Sequence, residues 1–595
     1  MPLINIFSNL FFLFSFLHLF FAFGNSIENE NFDPKIVSPM LTLSPAEVTE
    51  IVPEPAQISW QSGTVWPLPQ KIKYGVENRT VPSGTIVVRL RHGNNEGEKC
   101  DIFDHSTNNY VKKLLRFPGG YAMEKQPTSP IQLMIKLGQK CPEKNEFPTS
   151  EMNEEYRLHV PFDGEVILEA EEIWGILRGL ETFSQLFFRQ NGRFMLRTAT
   201  VHDWPEYPVR GILLDTSRHY LNKNVILRQI DLLAMNKMNT LHWHIVDMES
   251  FPYVSRMFPN ISQKGAFSPL HVYTPEVVQE ILQYARLRGI RVIPEFDTPG
   301  HMQSWRGAGV MASCHDNFGK PLPPSMLDPS EESTYTFIKK FLGEVLDTFK
   351  DDFLHLGGDE TNMWTTQCWA NNAKIKRFME KNNLHNITEL ENYYIQRLQV
   401  IVKELFEERQ EMAEGQKKAK QKKMVFWQEV FDNNKPDPSN TVVHNWYSRT
   451  TQERFLDTKR AVEKGFQVLV SSCWYLNYIN YGPDWRDGTG TTRQIYYCDP
   501  RGFEGTYEQK QLVIGGIATM WGEYLDGTNL EPNLWPRASA VAERLWSPPE
   551  LTRLADAAWP RLQEHRCRMV ARGYRAEPVN GPDFCQTELD EQMLK

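Results

Sequence analysis

The stretch Leu354-His355-Leu356-Gly357-Gly358-Asp359-Glu360 indicates the fold of this 595-residue chain. An apolar strand runs into two glycines, and two adjacent carboxylates follow. In α/β proteins, functional side chains collect where strands end. Two carboxyl groups in one pocket tend to differ in protonation, which suits the cleavage of a glycosidic bond. Taken alone, the same pair also fits the acidic first turn of a solvent-exposed helix.

Short apolar segments alternate with amphipathic helical segments from residue 210 onward. The predicted strands are Gly211–Asp215, Thr240–Val246, Arg291–Phe296, Phe353–Gly357, Met424–Trp427, Thr441–Trp446, Gln467–Ser471 and Ile514–Met520. Successive β/α units of this number predict a (β/α)8 TIM barrel. A doubly wound open sheet is the alternative, but no G-x-G-x-x-G phosphate-binding turn follows the first strand.

One predicted helix, Thr388–Phe406, shows the helical periodicity clearly. Its apolar face consists of Leu390, Tyr394, Leu398, Val402 and Leu405. Thr388 and Glu391 have the spacing of a capping box at its start.

The N-terminal part of the chain predicts export from the cytosol. Residues 1–24 contain a Leu- and Phe-rich run that ends in small residues, which predicts a signal peptide cleaved before Asn25. Because no Lys or Arg precedes the run, an uncleaved anchor is the alternative, although the run is short for a membrane span. Residues 25–59 are predicted to be a leader or linker.

A smaller α+β domain is predicted between the leader and the barrel, over residues 60–200. Its strand-like segments are Thr85–Leu90 and Ile131–Ile135, and a helical segment covers Ile173–Phe188. The barrel with a C-terminal extension then occupies residues 201–595. Within it, the lysine-rich stretch 407–423 is expected to be a solvated helix extension or loop, although its composition alone would also allow a nuclear signal.

Composition and surface chemistry agree with a secretory protein. The net charge of −9 and the pI near 6.0 argue against nucleic acid as the main partner. Three glycosylation sequons start at Asn78, Asn260 and Asn386. The eight cysteines are scattered without a CxxC motif, which indicates disulfides rather than zinc or thioredoxin chemistry.

Unusual polar and aromatic residues cluster at the predicted strand ends. These residues are Asp215, His242, His244, Asp247, Glu295, Asp297, His301, Asp359, Glu360, Trp427, Trp446, Tyr475, Asn477, Trp521 and Glu523. The carboxyl ends of barrel strands meet at one face, so we expect a pocket with tryptophan walls and convergent acids. A pyranose fits such a pocket, because its ring has apolar faces and its hydroxyls bind carboxylates.

The His242-Trp243-His244 strand allows a second interpretation. Its two histidines face the same way on a strand and, with Asp247, could ligate a metal as in barrel metal-dependent hydrolases. The pair lies on the second strand rather than the first, and a packed, hydrogen-bonded histidine pair is the commoner arrangement. We therefore predict neither a metal nor a cofactor.

Long sequence strings in this region resemble the β-N-acetylhexosaminidases of glycoside hydrolase family 20, and most closely the animal lysosomal subunits. The strings are Arg210-Gly211-Ile212-Leu213-Leu214-Asp215-Thr216-Ser217-Arg218-His219-Tyr220, His242-Trp243-His244, Glu295-Phe296-Asp297-Thr298-Pro299-Gly300-His301, Gly357-Gly358-Asp359-Glu360, Trp427-Gln428-Glu429-Val430-Phe431 and Met520-Trp521-Gly522-Glu523-Tyr524. The resemblance extends from about Trp66 to Trp546 and implies retaining hydrolysis of terminal β-linked GlcNAc or GalNAc.

The resemblance also implies substrate-assisted catalysis, in which the 2-acetamido oxygen attacks the anomeric carbon and forms an oxazolinium. Glu360 should donate a proton to the leaving oxygen and later deprotonate the incoming water. Asp359 should stay ionised and orient the acetamide, and Tyr475 should hydrogen-bond its oxygen. Asp247 and His301 should form a relay that tunes the proton affinity of Glu360.

The substrate-binding residues implied by the resemblance surround this centre. Trp427, Trp446 and Trp521 should wall the acetamide and the ring, and Arg210 and Glu523 should bind hydroxyls. Because Arg210 starts its strand, spacing alone suggests a structural role, and it would reach the pocket only by extending through the barrel. Asn477 is followed by Tyr478 rather than by the Arg of subunits that accept 6-sulfated sugars, which predicts a preference for neutral substrates.

Disulfide pairing is implied only in part. The resemblance suggests Cys100–Cys141, Cys314–Cys368 and Cys567–Cys585, and Cys473 and Cys498 remain as a potential local bridge around the Tyr475 loop. We further expect a homodimer or heterodimer in the lysosome or outside the cell, without nucleic acid or a stable membrane span. The alternatives are a catalytically silent sugar-binding protein on the same fold and a metal hydrolase.

Overall fold

The computed structural model describes residues 62–81, 86–92, 95–96, 100–110, 130–190, 193–412, 422–448, 450–478, 495–579 and 584–585. The predicted signal peptide and leader, and residues 413–421 of the lysine-rich stretch, lie outside these ranges. Among the helices of the described ranges, none is both long enough and apolar enough to span a bilayer.

An α+β domain forms the first part of the described chain. Its strands are β1 (Lys71–Thr80), β2 (Ile86–His92), β3 (Asn95–Glu96), β4 (Ile131–Leu137), β5 (Tyr156–Val160), β6 (Val166–Ala170), β7 (Phe187–Gln190) and β8 (Arg193–Asp203). They form one sheet in the order β1-β8-β5-β6-β4-β2-β3, with β7 paired to β8. Strands β4 and β5 alternate buried and outward residues, and the buried face packs on the helix Ile173–Gln185.

A closed parallel barrel follows, as the alternation of strands and helices predicted. Its strands are β9 (Val209–Asp215), β10 (Thr240–Val246), β11 (Arg291–Phe296), β14 (Phe353–His355), β15 (Lys423–Trp427), β16 (Thr441–Asn445), β17 (Gln467–Val470) and β18 (Val513–Met520). The short strands β12 (Cys314–His315) and β13 (Pro321–Leu322) form a hairpin in the loop after β11. The (β/α)8 prediction is confirmed, and the open-sheet alternative is wrong because β18 pairs with β9.

Helices connect the strands and cover the barrel. They are Asp101–Asn109 and Ile173–Gln185 in the first domain, then Lys223–Met235, Asn260–Gly265, Pro275–Arg286, Glu332–Thr348, Asn362–Thr365, Ala373–Lys381, Ile387–Met412, Gln428–Asn433, Thr451–Glu463, Tyr507–Gln511, Leu530–Leu534, Arg537–Trp546 and Ala555–Ala571. Short 3-10 turns cover Gln303–Trp305 and Leu476–Tyr478, and a π-helical turn covers Thr366–Ala370.

The helix Ile387–Met412 buries the predicted apolar face completely, from Leu390 to Leu405. The predicted capping box was wrong by two residues. Asn386 caps the helix, since its Oδ1 accepts from the Glu389 N–H at 2.9 Å and its Nδ2 donates to the Glu389 carboxylate at 3.0 Å.

Four disulfides are present, and they confirm the predicted pairing. They are Cys100–Cys141, Cys314–Cys368, Cys473–Cys498 and Cys567–Cys585. Cys314–Cys368 joins the loop after β11 to the loop after β14, and Cys473–Cys498 closes the segment that carries Tyr475. Two of the four therefore restrain loops at the carboxyl face of the barrel.

Candidate active site

A tight turn after β14 presents the paired carboxylates. Gly357 and Gly358 have φ of 70° and 95°, a region that side chains rarely adopt. A Cβ on Gly357 would lie 1.7 Å from Asp297 Oδ1, so the close approach of the two loops requires glycine there. Glu360 itself has φ 48°, and such strain in a non-glycine residue is typical of functional sites.

His301 joins the two carboxylates to a buried acid. Its Nε2 lies 3.7 Å from both Asp359 Oδ2 and Glu360 Oε2, and its Nδ1 lies 3.0 Å from Asp247 Oδ1. Burial lowers the pKa of His301, but the negative charges of Asp247 and Asp359 raise it by more, so that the pKa is about 9. Despite burial, His301 and Arg218 hold the pKa of Asp247 well below its usual value. The pair is therefore an imidazolium and a carboxylate near neutral pH.

Asp359 lies beside a second buried acid, Asp297. Burial raises the pKa of both carboxyls, and each is raised further by a neighbouring charge, that of Glu295 for Asp297 and that of Asp297 for Asp359. Two adjacent carboxylates cannot both ionise without cost, so the pair shares a proton. The charge of His301 opposes the rise in the pKa of Asp359, and the Gly358 N–H, which donates to Asp297 Oδ1 at 2.8 Å, opposes it at Asp297.

A hydrogen-bonded histidine cluster fills the barrel beneath the site. Strand register aligns His244, Glu295 and His355 on adjacent strands. Glu295 Oε2 contacts His242 Nε2 at 2.8 Å and His244 Nδ1 at 2.6 Å, and His244 Nε2 contacts Asp247 Oδ2 at 2.9 Å. The chain of contacts thus continues from Glu295 to His301 through Asp247.

The same cluster tests the metal interpretation. The predicted ligands were His242, His244 and Asp247, and both nitrogens of His244 are engaged by carboxylates, those of Glu295 and Asp247. Another set, His242, His355 and His444, places one nitrogen of each residue within 4.8 Å of the others. However, the rings of His242 and His355 are stacked, with centroids 4.5 Å apart and planes 24° apart. Imidazole binds a metal through an in-plane lone pair, and stacked rings aim these lone pairs side by side rather than at one point. The geometry suits packed histidines.

Three tryptophans pack together beside this cluster. Trp427 stacks on His444 at 4.2 Å, and its Nε1 donates to Glu295 at 2.7 Å. The ring of Trp427 lies 6.4 Å from that of Trp446 and 6.0 Å from that of Trp521. The three rings lie at or just after the carboxyl ends of β15, β16 and β18, the face where the sequence predicts tryptophan walls.

The remaining predicted binding residues lie at the rim. Tyr475 stacks on Trp446 at 5.9 Å and bridges to Thr519 at the end of β18. Asn477 Oδ1 is buried and has no hydrogen-bond partner among the described residues. Glu523 is exposed at the end of β18.

The prediction that Arg210 binds the sugar is wrong. Arg210 is fully buried at the start of β9, and its guanidinium donates to both oxygens of Glu154 at 2.7 and 2.6 Å. It also donates to the Lys237 and Tyr207 carbonyls. Its side chain therefore stays at the amino end of the barrel, where a buried carboxylate compensates its charge.

Arg218 is the arginine that the structure brings to the pocket, and the sequence analysis did not select it. Its guanidinium lies 3.2 Å from Asp215 and 2.8 Å from Asp247, and it approaches the Trp521 ring at 5.2 Å. These carboxylates raise its pKa above the usual value despite burial. Arg218 follows β9 by three residues, so a search extended from the strand ends into the loops would have found it.

A (β/α)8 barrel with acids, an imidazolium and tryptophan walls at its carboxyl face defines a carbohydrate-hydrolysing enzyme. The family model "Glycosyl hydrolase family 20, catalytic domain" matches residues 207–549, and a "beta-acetyl hexosaminidase like" model matches residues 51–186. The chain belongs to glycoside hydrolase family 20. It is a glycoside hydrolase of the β-hexosaminidase type.

Individual relatives support this assignment over nearly the whole length. "Beta-hexosaminidase A" of Caenorhabditis briggsae is 47% identical over 541 residues, covering 89% of this chain and 94% of the relative. "Beta-hexosaminidase subunit alpha" of Rattus norvegicus is 40% identical over 546 residues, covering 90% and 97%. The solved Flavobacterium johnsoniae chitobiase matches with a TM-score of 0.69 and 26% identity, covering 87% of this chain and 73% of that one.

Proposed function

We propose that the enzyme is a retaining exo-β-N-acetylhexosaminidase that uses the 2-acetamido group of its substrate as the nucleophile. The observation that carries this proposal is the position of His301 Nε2, 3.7 Å from Asp359 and 3.7 Å from Glu360, beside tryptophan walls. One carboxylate is buried and the other is 43% exposed, so they meet different environments. Different environments allow different protonation states and roles.

In the first step, the acetamide carbonyl oxygen forms a bond to the anomeric carbon as the glycosidic C–O bond breaks. Glu360 gives its proton to the departing oxygen, and Asp359 stabilises the positive charge that develops on the acetamide nitrogen. Tyr475, next to Trp446, orients the acetamide oxygen. Trp427, Trp446 and Trp521 exclude water from the sites of bond formation.

In the second step, water attacks the anomeric carbon of the oxazolinium and the bond to the acetamide oxygen breaks. Glu360, now a carboxylate, takes a proton from the water. Two inversions at one carbon give retention. The imidazolium of His301, which contacts Asp247, stabilises the negative charge of the two carboxylates in both steps.

Hydrolysis of an aryl β-GlcNAc, followed by NMR of the first-formed anomer, tests this function. We expect the β-anomer, no covalent adduct with a fluoro-sugar, and a loss of kcat of about 1000-fold in Asp359→Asn, since a neutral amide cannot stabilise the oxazolinium. A stable glycosyl-carboxylate on the enzyme, or an α-anomer as first product, would refute the proposal. The silent sugar-binding alternative predicts no turnover at all.

The substrate preference and setting belong to the same proposal. Asn477 without a following arginine supports neutral terminal sugars, on glycoconjugates or chitooligosaccharides, over 6-sulfated ones. The disulfides and sequons support a secretory route to the lysosome or the cell exterior. The subunit named in the rat relative supports a homodimer or heterodimer. Rates on sulfated and unsulfated aryl-GlcNAc and the mass in solution test these points separately.

A further inference from the structure

We propose that Glu429 is a positioning residue that holds the proton donor Glu360 and the pocket wall Trp446 in fixed relation to each other. The inference rests on the proposed function and adds a residue to it. Glu429 belongs to the motif Trp427-Gln428-Glu429-Val430-Phe431. The proposed reaction steps use the tryptophan of this motif but not its glutamate.

Glu429 lies in the first turn of the helix Gln428–Asn433, which begins directly after β15. This helix packs against the catalytic turn. The Trp427 N–H donates to the Gly357 carbonyl at 3.0 Å, and a Cβ on Gly358 would meet Val430 Cγ2 at 2.4 Å. The carboxylate-bearing turn and the start of this helix therefore form one packed unit.

The carboxyl group of Glu429 connects two functional groups. Its Oε2 accepts a hydrogen bond from Trp446 Nε1 at 2.8 Å, and the carboxyl group lies close enough to Glu360 for the backbone N–H and the charge of Glu360 to act on its pKa. Glu360 has φ 48°, a conformation that persists only where the surroundings hold it. The packed helix start and the nearby Glu429 carboxyl group are such a support, and the bond to Trp446 fixes the wall that stacks on Tyr475.

Burial, together with the nearby charge of Glu360, raises the pKa of Glu429 to about 7. Asp359 is a further titratable neighbour, since the charge of Glu429 also acts on it. Both protonation states of the carboxyl keep a carbonyl-type oxygen that accepts hydrogen bonds. The positioning role therefore depends on the acceptor oxygens rather than on the charge, and glutamine should replace glutamate better than alanine does.

The experiment compares Glu429→Ala, Glu429→Gln and the control Glu508→Ala, whose glutamate occupies the first turn of the exposed helix Tyr507–Gln511. Each protein is assayed on aryl β-GlcNAc substrates with good and poor leaving groups, and each binds a thiazoline analogue of the oxazolinium. We expect Glu429→Ala to lose about 100-fold in kcat/KM, more with poor leaving groups, because the donor is misplaced. The analogue should bind about 10-fold more weakly because the wall has moved.

Glu429→Gln should recover at least half of the logarithmic loss, and Glu508→Ala should match the wild type. A folded Glu429→Ala with wild-type kinetics would overturn the inference, as would a loss equal for all leaving groups with unchanged analogue binding. If Glu429→Ala does not fold, Trp446→Phe breaks the contact between Glu429 and the wall, and unchanged binding of the analogue would then overturn the inference. A wild type inactive on every aryl-GlcNAc would instead refute the proposed function.

Discussion

At the scale of single residues, the dependence of kcat/KM on the leaving group tests whether Glu360 donates the proton. In Glu360→Gln the amide cannot give a proton to the departing oxygen, so the expected loss in kcat/KM is about 1000-fold or more for alkyl and sugar leaving groups. Activated aryl groups leave without a proton, and their loss should be at least 10-fold smaller. Steady-state kinetics on a graded aryl series measures the difference. Equal losses across the series would assign the proton to another group.

Arg210 and Arg218 separate stability from binding. In Arg218→Met the pocket loses a donor beside Asp215 and Asp247, and we expect kcat/KM to fall by about 10- to 100-fold, which corresponds to a charged hydrogen bond of about 1.5–3 kcal/mol. In Arg210→Met we expect unchanged KM but a lower melting temperature, since a buried ion pair is lost. Kinetics and thermal melts of both variants are the measurements. A raised KM in Arg210→Met would show that Arg210 takes part in substrate binding.

His301 gives the stability of the fold a predictable pH dependence. The pKa of His301 is about 9 in the folded protein against 6.5 for an unperturbed histidine, so its protonation stabilises the folded state fully below pH 6.5. That contribution, at most about 3 kcal/mol, is lost as pH rises toward 9. The melting temperatures of wild type and His301→Gln should therefore differ most near pH 6 and converge by pH 9.5. A constant difference over this range would contradict the imidazolium.

Sequence reasoning found the residues that end strands and missed those that depend on loops. Asp359 and Glu360 lie a few residues after β14, and the tryptophans lie at or just after the ends of β15, β16 and β18. Arg218 lies in a loop, where no periodicity reports the direction of a side chain. Arg210 was misplaced because a strand position shows which face a residue takes, but not how far its long side chain reaches or which buried acid it meets.

At the scale of elements, strand identity was predictable and strand ends were not. The prediction extended the fourth barrel strand to Gly357, whereas β14 ends at His355 because Gly357 and Gly358 turn the chain through positive φ. The capping residue of the helix Ile387–Met412 was predicted wrongly for a related reason. Both Asn386 and Thr388 are good capping residues, and only the backbone geometry decides between them.

The turn after β14 should tolerate no side chain. Gly357→Ala places a Cβ 1.7 Å from Asp297 Oδ1, so the turn or the β11 loop must move and carry Asp359 out of position. Gly309→Ala is a matched control, because Gly309 has φ 73° against 70° for Gly357 and nothing lies within 4 Å of its Cβ position. Both variants carry about 1–2 kcal/mol of backbone strain. We expect activity to fall at least 100-fold only in Gly357→Ala, measured with aryl-GlcNAc on folded protein. Similar activity in both variants would show that the turn adapts.

At the scale of the whole molecule, buried charges join the α+β domain to the amino end of the barrel. Lys237, after the helix Lys223–Met235, donates to Asp203 at the end of β8 at 2.8 Å, and both side chains are fully buried. Arg178 of the helix Ile173–Gln185 donates to the Gly289 carbonyl before β11. Sequence periodicity does not predict such pairs. In the sequence each partner resembles an ordinary surface charge, and only the packing of the two domains buries it.

Glu154 is the centre of this contact and provides the test of its role. It accepts from Arg178 at 2.7 Å, from Arg210 at 2.6 Å and from Asn239 at 3.0 Å. Despite burial, the two guanidinium groups lower its pKa. Glu154→Ala leaves both guanidiniums buried without their carboxylate, which costs about 3–5 kcal/mol and should lower the melting temperature by several degrees.

The kinetic constants at 25 °C should stay at wild-type values, because the ion pair lies at the opposite end of the barrel from the catalytic turn. The control is Lys136→Met, which removes an ion pair to Glu169 whose side chains are both 43% exposed. Exposed pairs contribute at most about 1 kcal/mol, so this variant should melt close to the wild type. Differential scanning calorimetry at one scan rate compares the three proteins. If Glu154→Ala melts like Lys136→Met, the buried cluster does not hold the domains together. If it melts normally but loses activity, the first domain acts on the site by another route.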